Sequence, residues 1–539
     1  MNRFLSSARW AITMVASVVF VGGALRANAQ PLPHIDRSYH GVPTLFVDGK
    51  PFLVVGAQCD IWRSTRQDAK TVQFFDAFKE MHATTVGIGI PWSKIETAED
   101  HYDFTFLDWF IDRAREHGLR LGINLFNTNV CGKVEEGNDA SAFPVYTPKY
   151  ILSQPQKYRR MQLPYPYKYA AGGPPMCPND PATLQREVKY VTRVAEHLKQ
   201  ADTRHTVVLV QLDNEFYYQQ WEGNRPDYGS ATEKAVRCKC ENCNQLWSKA
   251  PSKDGETFMF DSFARYAKAL SDAIYKTHPL PMYLNSPWWP PYLVPTFLDA
   301  CPNIDMVGID GVLTPREPGI FSDSQRSRNL PFAAENPTEN SEVRLNLDVL
   351  PWYTIAGRPG IGNLLWECGP PHTIVDDPVC RQRYGAALGP IRDAMFPLCV
   401  YRGTEAMAAW FALREIPAGL KTDDPGNFQD VSGVTSRFMI RQAATSKAVD
   451  AAGLEVTVGG HIFKLSATSA GALIHIAPQQ ILLITSAGTL HMADRPRVAE
   501  RGHYEGTTWV REDSVSIAAD KNGFAIVISK PGVLRLTYP

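Results

Sequence analysis

The feature that most constrains the fold of this chain is an alternation of short apolar runs with longer segments of helical period. The runs are rich in β-branched residues, and between them apolar residues recur every three or four positions, as Leu184, Val188 and Val191 do. Eight βα units in succession predict an α/β fold, a (β/α)8 TIM barrel. The eight predicted strands are Phe52–Ala57, Thr85–Ile90, Leu119–Leu125, Thr206–Leu212, Met282–Asn285, Ile304–Ile309, Pro331–Ala334 and Ile361–Trp366.

The pattern divides the chain into three parts. Residues 1–29 begin with Arg3 and Arg9, continue as a mostly apolar stretch and end on Ala27-Asn-Ala29, which predicts a cleaved signal peptide and a secreted or periplasmic protein. Residues 30–424 form the predicted barrel, with a long insertion over 127–181 whose Pro/Tyr/Gly-rich tract is expected to wall a binding site. Short strands with Gly and Asn turns then predict a small all-β C-terminal domain over 425–539.

Composition excludes two classes of partner. Of 539 residues, 44% are hydrophobic and 21% are charged, so the chain can fill a large core. The formal net charge is −1 and no dense Lys/Arg run occurs, which argues against an electrostatic nucleic-acid binder. Past residue 30 no apolar stretch reaches the roughly 18 residues of a membrane span. We therefore expect no membrane partner once the signal is cleaved.

Acidic side chains follow three of the predicted strands. Strand four runs into Asn214 and Glu215, strand seven into Glu335, and strand eight into Glu367. The carboxyl ends of barrel strands line the active-site mouth, so these three glutamates are expected at the same rim. Two carboxylates facing each other across a sugar can cleave a glycosidic bond, one as acid/base and one as nucleophile. Asn214 is placed to donate a hydrogen bond to a sugar 2-hydroxyl.

Further polar and aromatic residues follow other strands. Asn127 comes after strand three, Asn285 ends strand five with Trp288 just beyond it, and Asp310 ends strand six. Amides and carboxylates bind hydroxyl groups, and aromatic rings stack on sugar faces. We expect these four residues to contact an oligosaccharide substrate; packing within loops is the competing interpretation for Trp288.

Three stretches resemble a known clan of glycoside hydrolases. Gln211-Leu-Asp-Asn-Glu215 after an apolar strand resembles the Asn-Glu acid/base motif of the clan built on this barrel. Gly87-Ile-Gly-Ile-Pro-Trp-Ser-Lys-Ile-Glu96, followed by His101-Tyr-Asp-Phe-Thr-Phe-Leu-Asp108, is similar to a stretch of families 42 and 35. Those families are retaining β-galactosidases. The resemblance runs from about Phe46 to about Gly403.

The resemblance implies roles for the glutamates. The clan places its acid/base after strand four and its nucleophile after strand seven, so Glu215 is the expected acid/base and Glu335 the expected nucleophile. If one predicted strand is surplus, the nucleophile is Glu367 instead. Asn329-Leu-Pro-Phe-Ala-Ala-Glu335 resembles the turn that carries the nucleophile in related enzymes, which favours Glu335. Trp366 would then form the floor of the sugar subsite.

A cysteine cluster indicates a metal site. Cys238, Cys240 and Cys243 are too close together for easy mutual disulfides, and a tetrahedral Zn²⁺ accepts such spacing. The resemblance implies the fourth ligand, because family-42 enzymes carry another cysteine ahead of the helix that leads into strand four. Cys177 stands at that position. A site of four cysteines has no open position, so this zinc would be structural and catalysis would need no cofactor. Free or disulfide-bonded thiols are the alternative.

The resulting hypothesis is a retaining, exo-acting β-galactosidase that cleaves terminal β-galactosyl residues of oligosaccharides by a two-glutamate mechanism. A β-glycosidase for another sugar, a catalytically inactive carbohydrate-binding protein, and a barrel enzyme that uses the metal directly are the alternatives. The chain departs from family 42 by continuing into the small β domain instead of a trimerisation domain. The oligomeric state is therefore left open.

Overall fold

The computed structural model confirms the barrel. It describes residues 30–59, 67–127, 146–163, 174–214, 237–251, 253–286, 293–310, 328–338, 341–366, 373–415, 435–442, 445–450, 453–521 and 523–539. Eight parallel strands pair in chain order, and the eighth pairs with the first to close the barrel. Strands one to eight are Val54–Gln58, Thr85–Pro91, Arg120–Phe126, Val207–Leu212, Met282–Ser286, Met306–Asp310, Phe332–Glu335 and Gly362–Trp366. Each coincides with a predicted strand, so the strand count is correct.

Helices follow the strands, and aspartate side chains start several of them. Asp68, Asp180, Asp254 and Asp377 each accept a hydrogen bond from a backbone N–H in the first turn of the helix that follows. Such caps satisfy donors that a helix start otherwise leaves unpaired. The α-helices of the described residues are Ala69–Glu80, Trp92–Ile95, Thr105–His117, Lys149–Leu152, Pro181–Ala201, Glu241–Lys249, Gly255–Thr277, Leu293–Ala300, Ser341–Leu345, Leu350–Trp352, Pro378–Asp393 and Met395–Tyr401. A π-helical turn over Tyr353–Gly357 directly follows the Leu350–Trp352 helix.

The barrel interior changes from apolar to polar along its axis. At the amino ends of the strands, Val54, Val208, Met306 and Phe332 pack together with Leu45 from an N-terminal hairpin that closes this end. The carboxyl ends carry amides and carboxylates instead. Burying so many polar groups is costly unless they are paired or used. The polar end is therefore where a site is expected.

The C-terminal region is antiparallel. An eight-stranded sheet contains, in chain order, Met407–Glu415, Thr435–Gln442, Thr445–Val449, Ala470–Ala477, Gln480–Thr485, Val498–Glu505, Thr508–Ser514 and Gly532–Thr537. A five-stranded sheet contains Glu455–Val458, His461–Ser466, Gly488–Met492, Ala518–Asp520 and Gly523–Ile528. Side chains of both sheets, such as Trp410 and Phe463, share one hydrophobic core. The all-β character of this region is confirmed.

The eight-stranded sheet reaches further back along the chain than residue 425. Strand Met407–Glu415 pairs with Thr435–Gln442 on one side and with Ala470–Ala477 on the other. The Pro378–Asp393 helix of the barrel also packs against this sheet. The sequence pattern places the apolar stretch over 407–412 in the barrel because this stretch directly follows the last barrel helices in sequence. The division into domains at 424/425 stays a prediction.

Among the described residues, no helix combines the length and the apolarity needed to cross a membrane. Residues 1–29 and residues 164–173 of the Pro/Tyr/Gly-rich tract lie outside the described part of the chain, so the signal peptide and the binding-site wall stay predictions. The described residues on either side of 164–173 lie next to each other, because Arg160 and Met176 form an antiparallel bridge.

Candidate active site

Buried amides from different strands meet at the carboxyl end of the barrel. Asn124 on strand three donates to Gln58 on strand one over 2.7 Å, and Gln58 donates to the backbone oxygen of Ala334 on strand seven over 2.9 Å. The Tyr283 hydroxyl donates to Asn124 over 3.1 Å. Gly87 on strand two makes room for this network, since a Cβ there would lie 2.6 Å from the Gln58 side chain. The network holds the floor of the barrel mouth in one geometry.

Glu335 ends strand seven directly above this network. The residue is only 7% exposed. Burial raises the pKa of Glu335 to about 7, and hydrogen bonds from the Gln58 and Asn285 side chains partly oppose that rise. Asp310 of strand six lies beside Glu335 in the strand register. A carboxyl held by two amides in a buried pocket is the type of group that enzymes use for proton transfer or nucleophilic attack.

Asn214 links strand four to the same site. Its side-chain oxygen accepts hydrogen bonds from Gln211 over 3.0 Å and from Asn285 over 3.1 Å. The Asn285 amide also donates to Asp310 over 3.1 Å. Both of these hydrogen bonds reach the side-chain oxygen of Asn214, and among the described residues no protein group accepts from its amide nitrogen. The structure thus brings Asn214, Asn285, Asp310 and Glu335 together.

Behind the mouth lies a second buried acidic group that sequence analysis missed. Glu187, on the Pro181–Ala201 helix, accepts hydrogen bonds from the Asn127 side chain over 2.6 Å and from the Tyr266 hydroxyl. Asp213 accepts from the backbone N–H of Asn127 over 3.1 Å and of Asn214 over 3.0 Å. Both carboxyl groups are fully buried. The pKa of Glu187 is raised to about 8, mainly by burial and to a smaller extent by the charge of Asp213.

Glu187 lies on the apolar face of its helix, about one helical turn from Leu184 and one from Val191. A carboxyl group at such a position is a signal that sequence analysis can use, because a charge on a buried helix face requires partners. Asn127, which is predicted to contact sugar, belongs to the same arrangement. Asn127 is wholly buried and its side-chain amide donates to Glu187, and its contact with sugar stays a prediction.

We expect the folded protein to lose stability between about pH 4.5 and about pH 8, and the Glu187→Gln variant to lose less. Below pH 4.5 Glu187 is protonated in both folded and unfolded chains. Between the ordinary pKa of 4.5 and the raised pKa of about 8, only the unfolded chain ionises, so rising pH favours unfolding. Above about pH 8 this effect is constant.

Urea unfolding midpoints measured across that pH range check this expectation. Glu196→Gln is the matched control, because Glu196 lies on the same helix but is only partly buried and is paired with Arg193. Equal pH slopes for wild type, Glu187→Gln and Glu196→Gln would show that Glu187 is not the titrating group.

The four candidate metal ligands form one buried cluster. The Cys177 sulfur lies 3.9 Å from that of Cys238, 3.5 Å from that of Cys240 and 3.4 Å from that of Cys243. All four sulfurs lie within 4.8 Å of one another. Four thiolates at about 2.3 Å from one tetrahedral Zn²⁺ would be about 3.8 Å apart, so the donor set fits that ion.

The surroundings of the cluster also suit thiolates. Backbone N–H groups of Gln162 and Cys240 donate to the Cys238 sulfur, and the Asn179 side chain donates to the Cys243 sulfur. Such donors stabilise negative sulfur. The backbone N–H of Lys239 also donates to the backbone oxygen of Gln162. The cluster therefore joins the insertion to the segment that begins at 237 and to the start of the Pro181–Ala201 helix.

Three predicted site residues, Glu215, Trp288 and Glu367, lie outside the described residues, so their expected positions stay predictions. Trp366 ends strand eight, where its backbone N–H donates to Asn336 and its backbone oxygen accepts from Thr338. Glu335 ends the seventh barrel strand, the position at which the nucleophile is expected, and the choice between Glu335 and Glu367 stays a prediction.

Comparison with known families agrees with this arrangement. The glycoside hydrolase family-42 model, described as β-galactosidase, matches residues 62–249. The matched segment contains Asn214, Glu215 and all four clustered cysteines. No curated protein matches the sequence.

Three solved structures are similar at low identity. An exo-β-1,4-mannosidase from Opitutaceae bacterium strain TAV5 is 18% identical with a TM-score of 0.37, and the alignment covers 62% of this chain and 55% of that one. The β-galactosidase of the haloarchaeon Halorubrum lacusprofundi is 17% identical with a TM-score of 0.43, covering 64% and 58%. The β-galactosidase of Bacillus circulans sp. alkalophilus is 12% identical with a TM-score of 0.44, covering 90% and 99%. The chain spans little more than half the length of the first two.

The matched segment lies within the barrel part of the chain. The match begins shortly after strand one in sequence and ends in the helix that carries Cys243. The eight-stranded closed barrel supplies the scaffold on which that family segment lies. Over residues 62–249 the chain is similar to the β-galactosidases of glycoside hydrolase family 42.

Proposed function

We propose that the protein is a retaining, exo-acting β-glycosidase, a β-galactosidase by preference, that removes terminal β-galactosyl residues from oligosaccharides. The observation that carries this proposal is the placement of Glu335 and Asn214 on one buried polar mouth, where Asn285 contacts both. A carboxyl nucleophile and a 2-hydroxyl donor on the same rim are what a double-displacement glycosidase requires.

In the proposed reaction, the ionised Glu335 carboxylate attacks the anomeric carbon. Glu215 gives its proton to the glycosidic oxygen as that bond breaks, and a covalent glycosyl ester on Glu335 results. Glu215, now ionised, takes a proton from water while the water oxygen attacks the anomeric carbon and releases Glu335. Two inversions give net retention of the β configuration.

The neighbouring residues would bind the sugar. The amide nitrogen of Asn214 would donate to the 2-hydroxyl, a bond that strengthens in the oxocarbenium-like transition state. Asn285 and Asp310 would contact other hydroxyls, and Trp366 and Trp288 would supply aromatic faces for stacking. Asp310 beside Glu335 places two carboxyl groups against the sugar, which favours a polyhydroxylated, uncharged ring over an acidic one.

Hydrolysis of a panel of p-nitrophenyl glycosides tests this proposal. We expect turnover of β-galactoside above β-glucoside and β-mannoside, and none of α-galactoside. Faster turnover of another β-glycoside would show that the preferred sugar is not galactose, while hydrolysis of β-glycosides would remain the reaction. Binding without hydrolysis of every β-glycoside would favour a carbohydrate-binding protein.

We also propose that Cys177, Cys238, Cys240 and Cys243 hold a structural Zn²⁺. The support is the fit of four converging sulfurs to a tetrahedral ion and the set of N–H donors around them. Four sulfur ligands leave no position for water or substrate, so the ion would stabilise the fold and take no part in the reaction.

A further inference from the structure

Side chains from the odd-numbered barrel strands form one hydrogen-bonded layer beneath the site. Gln58, Asn124 and Tyr283 come from strands one, three and five, and Glu335 ends strand seven. Alternate strands of such a barrel fill the same interior layer, ordinarily with branched apolar side chains. Here all four members carry polar groups, and none is more than 7% exposed. Because burying polar groups in a core is costly, such a layer indicates a function.

The hydrogen bonds of this layer run in one direction. A backbone oxygen can only accept, so the group of Gln58 that faces the Ala334 oxygen at 2.9 Å is its amide nitrogen. The side-chain oxygen of Gln58 then accepts, and Asn124 donates to it over 2.7 Å. The side-chain oxygen of Asn124 in turn accepts from the Tyr283 hydroxyl over 3.1 Å. The backbone of strand seven therefore fixes which way both amides face. We call Tyr283, Asn124 and Gln58 the donor series.

Glu335 lies at the end of the donor series. The Gln58 side chain donates to its carboxyl group as well as to the backbone oxygen of the preceding residue, Ala334. At the other end, the Tyr283 ring packs edge-on against Phe332 of the same strand seven, with ring centroids 5.1 Å apart. Hydrogen bonds aligned head to tail strengthen one another. The donor series thus holds the N–H groups of Gln58 toward strand seven.

Asp310 and Tyr283 are titratable groups that lie beside Glu335 among the described residues. Asp310 pairs with Glu335 in the strand register. The pKa of Tyr283 is raised well above its ordinary value, mainly by burial and to a smaller extent by the charges of Glu335 and Asp310. Tyr283 therefore keeps its proton, and remains a donor, while Glu335 ionises. Because a negative charge on Asp310 opposes that ionisation, a donor from the barrel interior is needed to favour it.

Resting on the proposed function above, we propose that Gln58 is a positioning residue for the nucleophile. It holds the Glu335 carboxylate in one orientation and stabilises its negative charge, and Asn124 and Tyr283 hold Gln58 in turn. Gln58 is not a catalytic residue, because it is only 3% exposed and lies inside the barrel beneath Glu335.

The pH dependence of kcat/KM distinguishes this role from general support of the fold. A dinitrophenyl β-galactoside suits the measurement, because its leaving group departs without protonation and the loss of rate at low pH then reports the nucleophile. Gln58→Leu removes the donor, so the pKa of Glu335 rises and the carboxylate protonates at higher pH. We expect the acidic limb of the profile to move upward by about one pH unit. We also expect kcat/KM above that limb to fall about 10-fold, because the carboxylate is less well oriented.

Two tyrosine variants form a matched pair. Tyr283→Phe removes the hydroxyl at the start of the donor series and keeps the ring against Phe332, so we expect the acidic limb to move the same way by about 0.3 pH unit. Tyr384→Phe removes another buried hydroxyl, which donates to the backbone oxygen of Gly56 and lies outside the donor series. We expect the acidic limb of Tyr384→Phe to coincide with that of wild type. If Gln58→Leu does not fold, these two variants test the role, and equal shifts in both would overturn it.

Azide, which can replace a missing carboxylate nucleophile, gives a second measurement. In Glu335→Gly the group that Gln58 positions is absent, so adding Gln58→Leu should leave azide-dependent turnover within about 3-fold of that of Glu335→Gly alone. A much larger loss in the double variant, or an acidic limb that Gln58→Leu leaves in place, would overturn the positioning role while leaving the proposed function intact. Wild-type turnover by Glu335→Gly without azide would instead show that the nucleophile assignment is wrong, and the positioning proposal would fail with it.

Discussion

Replacing Glu335 by Gly is expected to abolish turnover of p-nitrophenyl β-galactoside, with a loss on the order of 10⁴-fold or more, as removal of a nucleophile does in other enzymes. Glu335 is the buried carboxyl group at the end of strand seven, held by Gln58 and Asn285. Without it, no group on that face of the sugar forms the covalent intermediate.

Azide should restore turnover in Glu335→Gly, because the small anion enters the space left by the carboxylate and attacks the anomeric carbon directly. One displacement replaces two, so the product is the α-galactosyl azide. Glu367→Gly is the matched comparison, since Glu367 follows strand eight in sequence. Rescue of Glu367→Gly to an α-azide, with Glu335→Gly unaffected by azide, would move the nucleophile to Glu367.

Loss of one cluster thiol is expected to cost the protein its metal and much of its stability. Cys240→Ser suits this test because Cys240 also caps the Glu241–Lys249 helix by accepting from the backbone N–H of Cys243, and serine can replace that cap. The variant therefore removes chiefly a metal ligand. We expect about one zinc per chain in wild type, well under half of that in the variant, and a Tm lower by about 10 °C or more.

Cys301→Ser is the control for this prediction. Cys301 is also buried, but it lies outside the cluster and its thiol donates to the backbone oxygen of Ala264, which a serine hydroxyl can also do. We expect normal zinc content and a small change in Tm. Metal analysis and thermal unfolding check both variants, and a wild-type protein without zinc, or equal Tm losses in the two variants, would contradict a structural zinc site.

The barrel could be predicted from sequence because its strands are buried on both faces and read as continuous apolar runs. Strand four, Val207–Leu212, is entirely buried and ends abruptly in polar residues. The same change from apolar to polar located Glu335 after strand seven. Both inferences depend on local order along the chain, which a parallel barrel preserves in space.

Contacts between distant segments were harder to infer. Strand Met407–Glu415 follows the barrel helices in sequence but pairs with Ala470–Ala477, a partner that no local pattern identifies. The hydrogen bond from Asn127 to Glu187 is a further example, because Glu187 lies on a helix whose rotation about its axis decides where the carboxyl group points. Such packing depends on tertiary structure and not on residue type alone.

Covalent trapping tests the central claim most directly. A 2-deoxy-2-fluoro-β-galactosyl fluoride forms the glycosyl ester but hydrolyses it slowly, so the labelled protein can be digested and its peptides analysed by mass spectrometry. We expect one fluorogalactosyl group per chain, attached to Glu335 in the peptide that contains Asn329 and Asn336. A label on Glu367, or on any other residue, would contradict the assignment of Glu335 as the nucleophile.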